Sequence, residues 1–143
     1  RDGSKKMSKS DPSDYSRIML TDTAENITQK IKKAKTDPEP LPGDKSDLGK
    51  RPEAENLISI FASLQDTSIE SVVKEYAGKE FSNFKKDLAD LSVSKLEPIT
   101  NEMNKLMNDV SYIDSILKQG QDNAIAVAEP VLQKTKEIIG FLI

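Results

Sequence analysis

Lys6 and Lys9 stand three residues apart in a stretch, residues 1–20, that is rich in serine, aspartate and glycine and has no sustained apolar period. Two ammonium groups so spaced in a pliable loop can converge on one polyphosphate. Each is a mobile donor able to follow negative charge as it moves between phosphorus and a leaving oxygen. Ser8 and Ser10 can donate hydroxyl hydrogen bonds and turn the loop, while Met7 supplies a flexible apolar side chain suited to the neighbourhood of a purine. None of the five needs a pKa tuned for proton transfer, so the chemistry they fit is electrostatic stabilisation of phosphate charge. The remaining composition narrows the field further. The chain has 143 residues with no His and no Cys, which excludes disulfides, imidazole or thiolate zinc sites and Ser-His or Cys-His nucleophiles. No residue is assigned to a metal.

Apolar spacing marks the elements that must position this loop. Asp22 and Glu25 have the separation of a capping box, and Ala24, Ile27, Ile31 and Ala34 recur at helical intervals, predicting a helix over residues 22–35. Its other face carries Lys30, Lys32, Lys33 and, nearby, Lys35. A solvated surface and a phosphate-binding surface fit those lysines equally well. Pro38, Pro40, Pro42, Gly43 and Gly49 make residues 36–51 a long connection. Pro52 suits a first helical position, and Leu57, Ile58, Phe61 and Leu64 form the stripe of a second helix over 52–65. Thr67 with Glu70 starts a short third helix that buries Val72, Val73 and Tyr76 and stops at Gly78. From residue 80 to 109, Phe81, Phe84, Leu88, Leu91, Leu96, Ile99, Met103 and Leu106 predict one long helix, kinked near Pro98. Asp109 or Ser111 opens another through Ile113, Ile116 and Leu117 that Gly120 ends, and a last helix over 122–139 bends at Pro130.

No stretch alternates polar and apolar residues, so the expected class is all-α: an antiparallel helical bundle with an N-terminal flexible loop. Residues 1–20 form the loop segment and 21–143 the helical domain. The charge is uneven. Residues 1–35 hold nine Lys/Arg against five Asp/Glu, while residues 36–143 hold twelve against nineteen. A basic segment on an acidic body suggests a local anion site, for nucleotide phosphate or a nucleic-acid backbone.

The run Lys6-Met7-Ser8-Lys9-Ser10 resembles the signature loop of the class I aminoacyl-tRNA synthetases. It is followed by Asp11-Pro12, by IKKAKTDP at residues 31–38, by RPEAENL at 51–57 and by a long proline-containing helix. That order is similar to the C-terminal part of bacterial-type tryptophanyl-tRNA synthetases, and the similarity covers essentially the whole chain. The resemblance implies that Lys6 and Lys9 are catalytic, acting on the phosphates of ATP, and that Met7, Ser8 and Ser10 join them in binding ATP. The implied reaction is attack of the tryptophan carboxylate on the α-phosphate with loss of pyrophosphate, followed by transfer to tRNA(Trp). It also implies Mg2+ with the ATP of the full-length enzyme, anticodon recognition by the helices, a homodimer of the complete enzyme, and a cytoplasmic location, with an organelle matrix as the other.

Class I synthetases pair this loop with a histidine-containing motif on a Rossmann domain, and the chain has no histidine. A fragment is therefore expected, inactive alone, with no cofactor bound, and without the tryptophan pocket or most of the ATP site. Two other readings stand beside it. One is a fragment of a related class I enzyme of tyrosyl type, against which the RPEAENL segment argues. The other is an autonomous helical RNA-binding or protein-interaction module.

Overall fold

The computed structural model describes residue 8 and residues 10–141. All regular structure among the described residues is helical, in agreement with the expected class. Five α-helices run α1 (Ala24–Lys32), α2 (Pro52–Gln65), α3 (Ile69–Tyr76), α4 (Phe81–Asn108) and α5 (Val110–Ile138), with single 3-10 turns at Asp14–Ser16 and Lys45–Lys50. The chain divides into two compact units, Arg1–Glu102 and Met103–Ile143. No helix among the described residues is long and apolar enough to cross a membrane.

The first unit holds the core. Ile27 and Ile31 of α1, Leu57, Ile58 and Phe61 of α2, Val72, Val73 and Tyr76 of α3, and Phe81, Phe84 and Leu88 of α4 are all buried. Its centre is aromatic: Phe61, Tyr76 and Phe84 meet with ring centroids 4.8–5.4 Å apart, two of the three pairs edge to face, a geometry favoured by the ring quadrupoles. The Tyr76 hydroxyl donates to Asp87 at 3.0 Å. Burial and then the Asp87 carboxylate both raise the phenol's pKa, so the group stays protonated. The connection over 36–51 is also anchored to this core through the buried Leu41 and Leu48. Leu41 exchanges backbone hydrogen bonds with the turn before α4, donating to the Lys79 carbonyl at 2.9 Å and accepting from Gly78 at 3.0 Å. Gly78 has φ 71°, a left-handed conformation that costs an L-residue about 1–2 kcal/mol.

The helix ends differ from the sequence expectation in instructive ways. Thr23 caps α1 in place of Asp22, accepting from the Asn26 amide at 3.2 Å. Asp22 is freed for a buried role described below. Ser68 caps α3 in place of Thr67. At the other end of α1, the Lys85 ammonium of α4 donates to the carbonyls of Ala34 at 2.7 Å and Lys32 at 3.3 Å, satisfying acceptors a helix terminus leaves open. Burial pushes Lys85 below the ordinary lysine range.

In the second unit, α5 opens at Asp109, whose side chain accepts from the Tyr112 amide at 3.0 Å. The expected stop at Gly120 is corrected: α5 runs unbroken through both Gly120 and Pro130. Glycine ends a helix by taking positive φ, and among the described glycines only Gly78 and Gly140 do so. In a helical conformation Gly120 costs only about 1 kcal/mol relative to alanine, which the cooperativity of a 29-residue helix absorbs. None of the residues of α5 is buried.

Candidate functional site

Of the five loop residues singled out, Lys6, Met7 and Lys9 lie outside the described residues. Ser8 and Ser10 are exposed, with their hydroxyl oxygens 3.2 Å apart, and the Asp11 amide donates to the Ser8 carbonyl at 3.3 Å. The following twelve residues form a stem made almost wholly of local polar bonds. Asp11 accepts from the Ser13 amide at 2.7 Å, an Asx turn forced by the proline between them. The 3-10 turn Asp14–Ser16 comes next. The Arg17 guanidinium then reaches back to the Asp11 carbonyl at 3.0 Å and lies 3.5 Å from the Asp14 carboxylate.

Helices α1 and α4 hold this stem. The Lys30 ammonium of α1 donates to Asp22 at 2.6 Å and pairs with Asp14 at 2.9 Å. Its side chain is 6% exposed, that of Asp22 8% and that of Asp14 58%. The same Asp22 oxygen accepts from the Met19 amide at 2.8 Å. Burial by itself would lower the Lys30 pKa, but the Asp22 and Asp14 carboxylates outweigh it and hold the group above the usual lysine range. Lys30 in turn holds Asp14 below the usual carboxylate range. One turn further on, Lys33 donates to the Tyr15 hydroxyl at 3.0 Å and lies 4.6 Å from the ring centroid. From α4, Thr100 donates its hydroxyl to the Leu20 carbonyl at 2.7 Å.

These contacts resolve the lysine face of α1 into separate parts. Lys30 is internal and doubly paired, Lys33 covers Tyr15, and Lys35 pairs with Glu53 at 2.9 Å. The signal in the sequence was position: Lys30 lies three residues beyond Ile27, hence on the buried side of α1. The expectation that Lys30 lies on the face of α1 opposite its apolar stripe is therefore corrected, since Lys30 is buried beside Ile27 and Ile31.

A second constellation joins the two downstream motifs. Arg51, at the start of RPEAENL, makes a bidentate pair with Asp37, at the end of IKKAKTDP, one arm being Nε to Oδ2 at 3.0 Å and the other Nη2 to Oδ1. It also donates to the Pro40 carbonyl at 2.6 Å and the Glu39 carbonyl at 3.0 Å. Asp37 is held below the usual carboxylate range, chiefly by Arg51. The pair closes the long connection into a loop and leaves Pro52 at the first turn of α2. No group of three or more metal-ligating side chains occurs among the described residues.

The family profile for class I tRNA synthetases of the tryptophan and tyrosine type matches residues 1–97. The chain belongs to this class I tRNA synthetase family. Among similar proteins, a tryptophan–tRNA ligase of Rhizobium meliloti is 56% identical over 142 residues, which are 99% of this chain and 40% of that protein. A tryptophan–tRNA ligase of Brucella melitensis is 51% identical with the same coverage, and one of Rickettsia felis is 46% identical over all of this chain and 43% of that protein. The chain thus spans about two-fifths of the length of the curated relatives it matches. In this chain the stem ties the residues after Ser10 to α1 through Lys30, and the Asp37–Arg51 clamp ties the two downstream motifs to each other.

Proposed function

We propose that the chain acts within a longer tryptophan–tRNA ligase as the part carrying the signature loop, residues 1–20, and the helical domain, residues 21–143, that meets the anticodon of tRNA(Trp). The observation that carries this reading is identity of 51–56% to tryptophan–tRNA ligases across 99% of the chain, with the lysine-serine loop included in the family match. In the first half-reaction the tryptophan carboxylate attacks the α-phosphate of ATP and pyrophosphate leaves. Lys6 and Lys9 stabilise the charge that builds on the phosphates, a contribution larger in the transition state than in the ground state. Ser8 and Ser10 supply hydroxyl hydrogen bonds to the nucleotide, and Met7 an apolar contact. In the second half-reaction the aminoacyl group passes to the tRNA.

Magnesium prefers oxygen ligands and keeps much of its water, so it is carried on the phosphates of ATP as part of the substrate. The described residues offer no acidic cluster that would hold it instead. The helices meet single-stranded anticodon bases by stacking and edge hydrogen bonds, with basic groups on the backbone. The enzyme works as a homodimer in the cytoplasm. Replacing both Lys6 and Lys9 by alanine in the intact ligase is expected to lower the rate of tryptophan-dependent pyrophosphate exchange by roughly 100-fold or more while tryptophan affinity changes little. An unchanged rate refutes the role assigned to the two lysines.

A further inference from the structure

The contacts made by Lys30 go beyond capping or surface pairing. Its ammonium joins three pieces among the described residues: the 3-10 turn through Asp14, the residue before the α1 cap through Asp22, and, through the Asp22 oxygen, the Met19 amide. Asp14 lies four residues beyond Ser10, and between them the chain is stiffened by Pro12 and the Asp11 turn. At no more than about 3.6 Å per residue, the place where the signature segment leaves the body is set within a short radius of Lys30. Among the described residues the stem is also held by Lys33, which donates to the Tyr15 hydroxyl and lies over its ring, and by Thr100, which donates to the Leu20 carbonyl. Of these three, Lys30 pairs with two carboxylates, from a side chain only 6% exposed, and charge-assisted contacts are roughly twice as strong as neutral ones.

We infer that Lys30 is a positioning residue for amino-acid activation: buried between Asp14 and Asp22, it fixes the root of the stem from which Lys6 to Ser10 reach the triphosphate. The inference rests on the ligase reading above. Lys30 touches no substrate in this scheme and works through the stem. A charge at this point is needed because a neutral side chain would leave Asp22, itself only 8% exposed, as an unpaired buried carboxylate. Asp22 would then turn toward water and release the Met19 amide.

The test uses Lys30→Met, Lys30→Arg and Asp14→Asn in the intact ligase, read by tryptophan-dependent pyrophosphate exchange, with hydrogen exchange of the same substitutions in the 143-residue chain. Asp14 is exposed, so its substitution removes half the anchor without opening the core. Lys30→Met is expected to lower kcat roughly 10- to 100-fold and to raise the KM for ATP while the KM for tryptophan stays within about twofold. Lys30→Arg should restore most of the rate, and Asp14→Asn should fall between. In the 143-residue chain, Lys30→Met should speed exchange of the Ser16 and Asp22 amides, leaving those of α2 and α3 as they were. Equal loss of every kinetic parameter in step with loss of folded protein, or rates within about twofold of the parent for both Lys30→Met and Asp14→Asn, would overturn the inference. Absence of tryptophan-dependent exchange in the unsubstituted enzyme would instead overturn the ligase reading, and the amide exchange would still report whether Lys30 holds the stem.

Discussion

Charged residues in this chain act by joining segments distant in sequence, and Arg51 is the clearest case. Its guanidinium fork matches the Asp37 carboxylate and still has donors for the Pro40 and Glu39 carbonyls, a combination lysine cannot reproduce with a point charge. Arg51→Met is expected to destabilise the chain by about 1.5–3 kcal/mol, the range for charge-assisted bonds on a partly buried group. Arg51→Lys should recover only a minor part, as measured by urea unfolding. The carboxylates also set a pH dependence. Asp14 and Asp37 both have folded pKa values below 3.8, their ordinary value, so the unfolded chain binds protons more readily than the folded one as acid is added. Their stabilisation is complete at neutral pH, begins to fade as pH approaches 3.8 and is lost as it falls through the folded values. Lys30 runs the other way: its pKa lies above 10.5 in the folded state, so its contribution persists below that value and disappears as pH rises through the folded one. Thermal unfolding followed from pH 2 to 11 should therefore decline at both ends, and Asp37→Asn should flatten the acid limb.

At the scale of elements, spacing and caps predicted where helices lie better than where they stop. Pro52, the two first-turn glutamates and the stripe through Phe61 mark α2 with the bounds observed, Pro52–Gln65. Gly120 misled because the same residue type stops a helix only if it takes positive φ, and nothing local to Gln119–Gln121 demands that. The two glycines should therefore respond oppositely to alanine. Gly120→Ala is expected to raise stability of α5 by about 0.5–1 kcal/mol and increase its helical circular dichroism, since nothing lies within 4 Å of the added methyl. Gly78→Ala, equally open but at φ +71°, should lower the midpoint of urea unfolding by the equivalent of about 1–2 kcal/mol. The legible part here is intrinsic preference. The illegible part is which of two conformations the surroundings require.

On the scale of the whole molecule, burial separates the two units. Phe84 and Leu88 of α4 are fully buried, whereas Leu117, Val127, Val131 and Ile138 of α5 are at least 65% exposed. A helix without tertiary burial is held mainly by its own hydrogen bonds and is close to marginal even at this length. Amides of α5 are expected to exchange much faster than those of α2, α3 and the first half of α4, a difference that hydrogen exchange with fragment separation would measure directly. Equal protection of α5 and α2 would contradict this. The residue types of the signature segment, the exclusion of histidine and cysteine chemistry, the all-α class and the apolar stripes were determined by sequence alone, because each depends on residue identity or on spacing along a single helix. Tertiary structure decided which apolar residues are buried: Leu57 of α2 is 4% exposed and Leu117 of α5 65%, although both recur at helical spacing. It also decided the partners of Lys30, Arg51 and Thr100. Thr100 meets Leu20 across eighty positions of chain, and such pairings depend on how distant segments approach, a quantity no local pattern of side chains encodes.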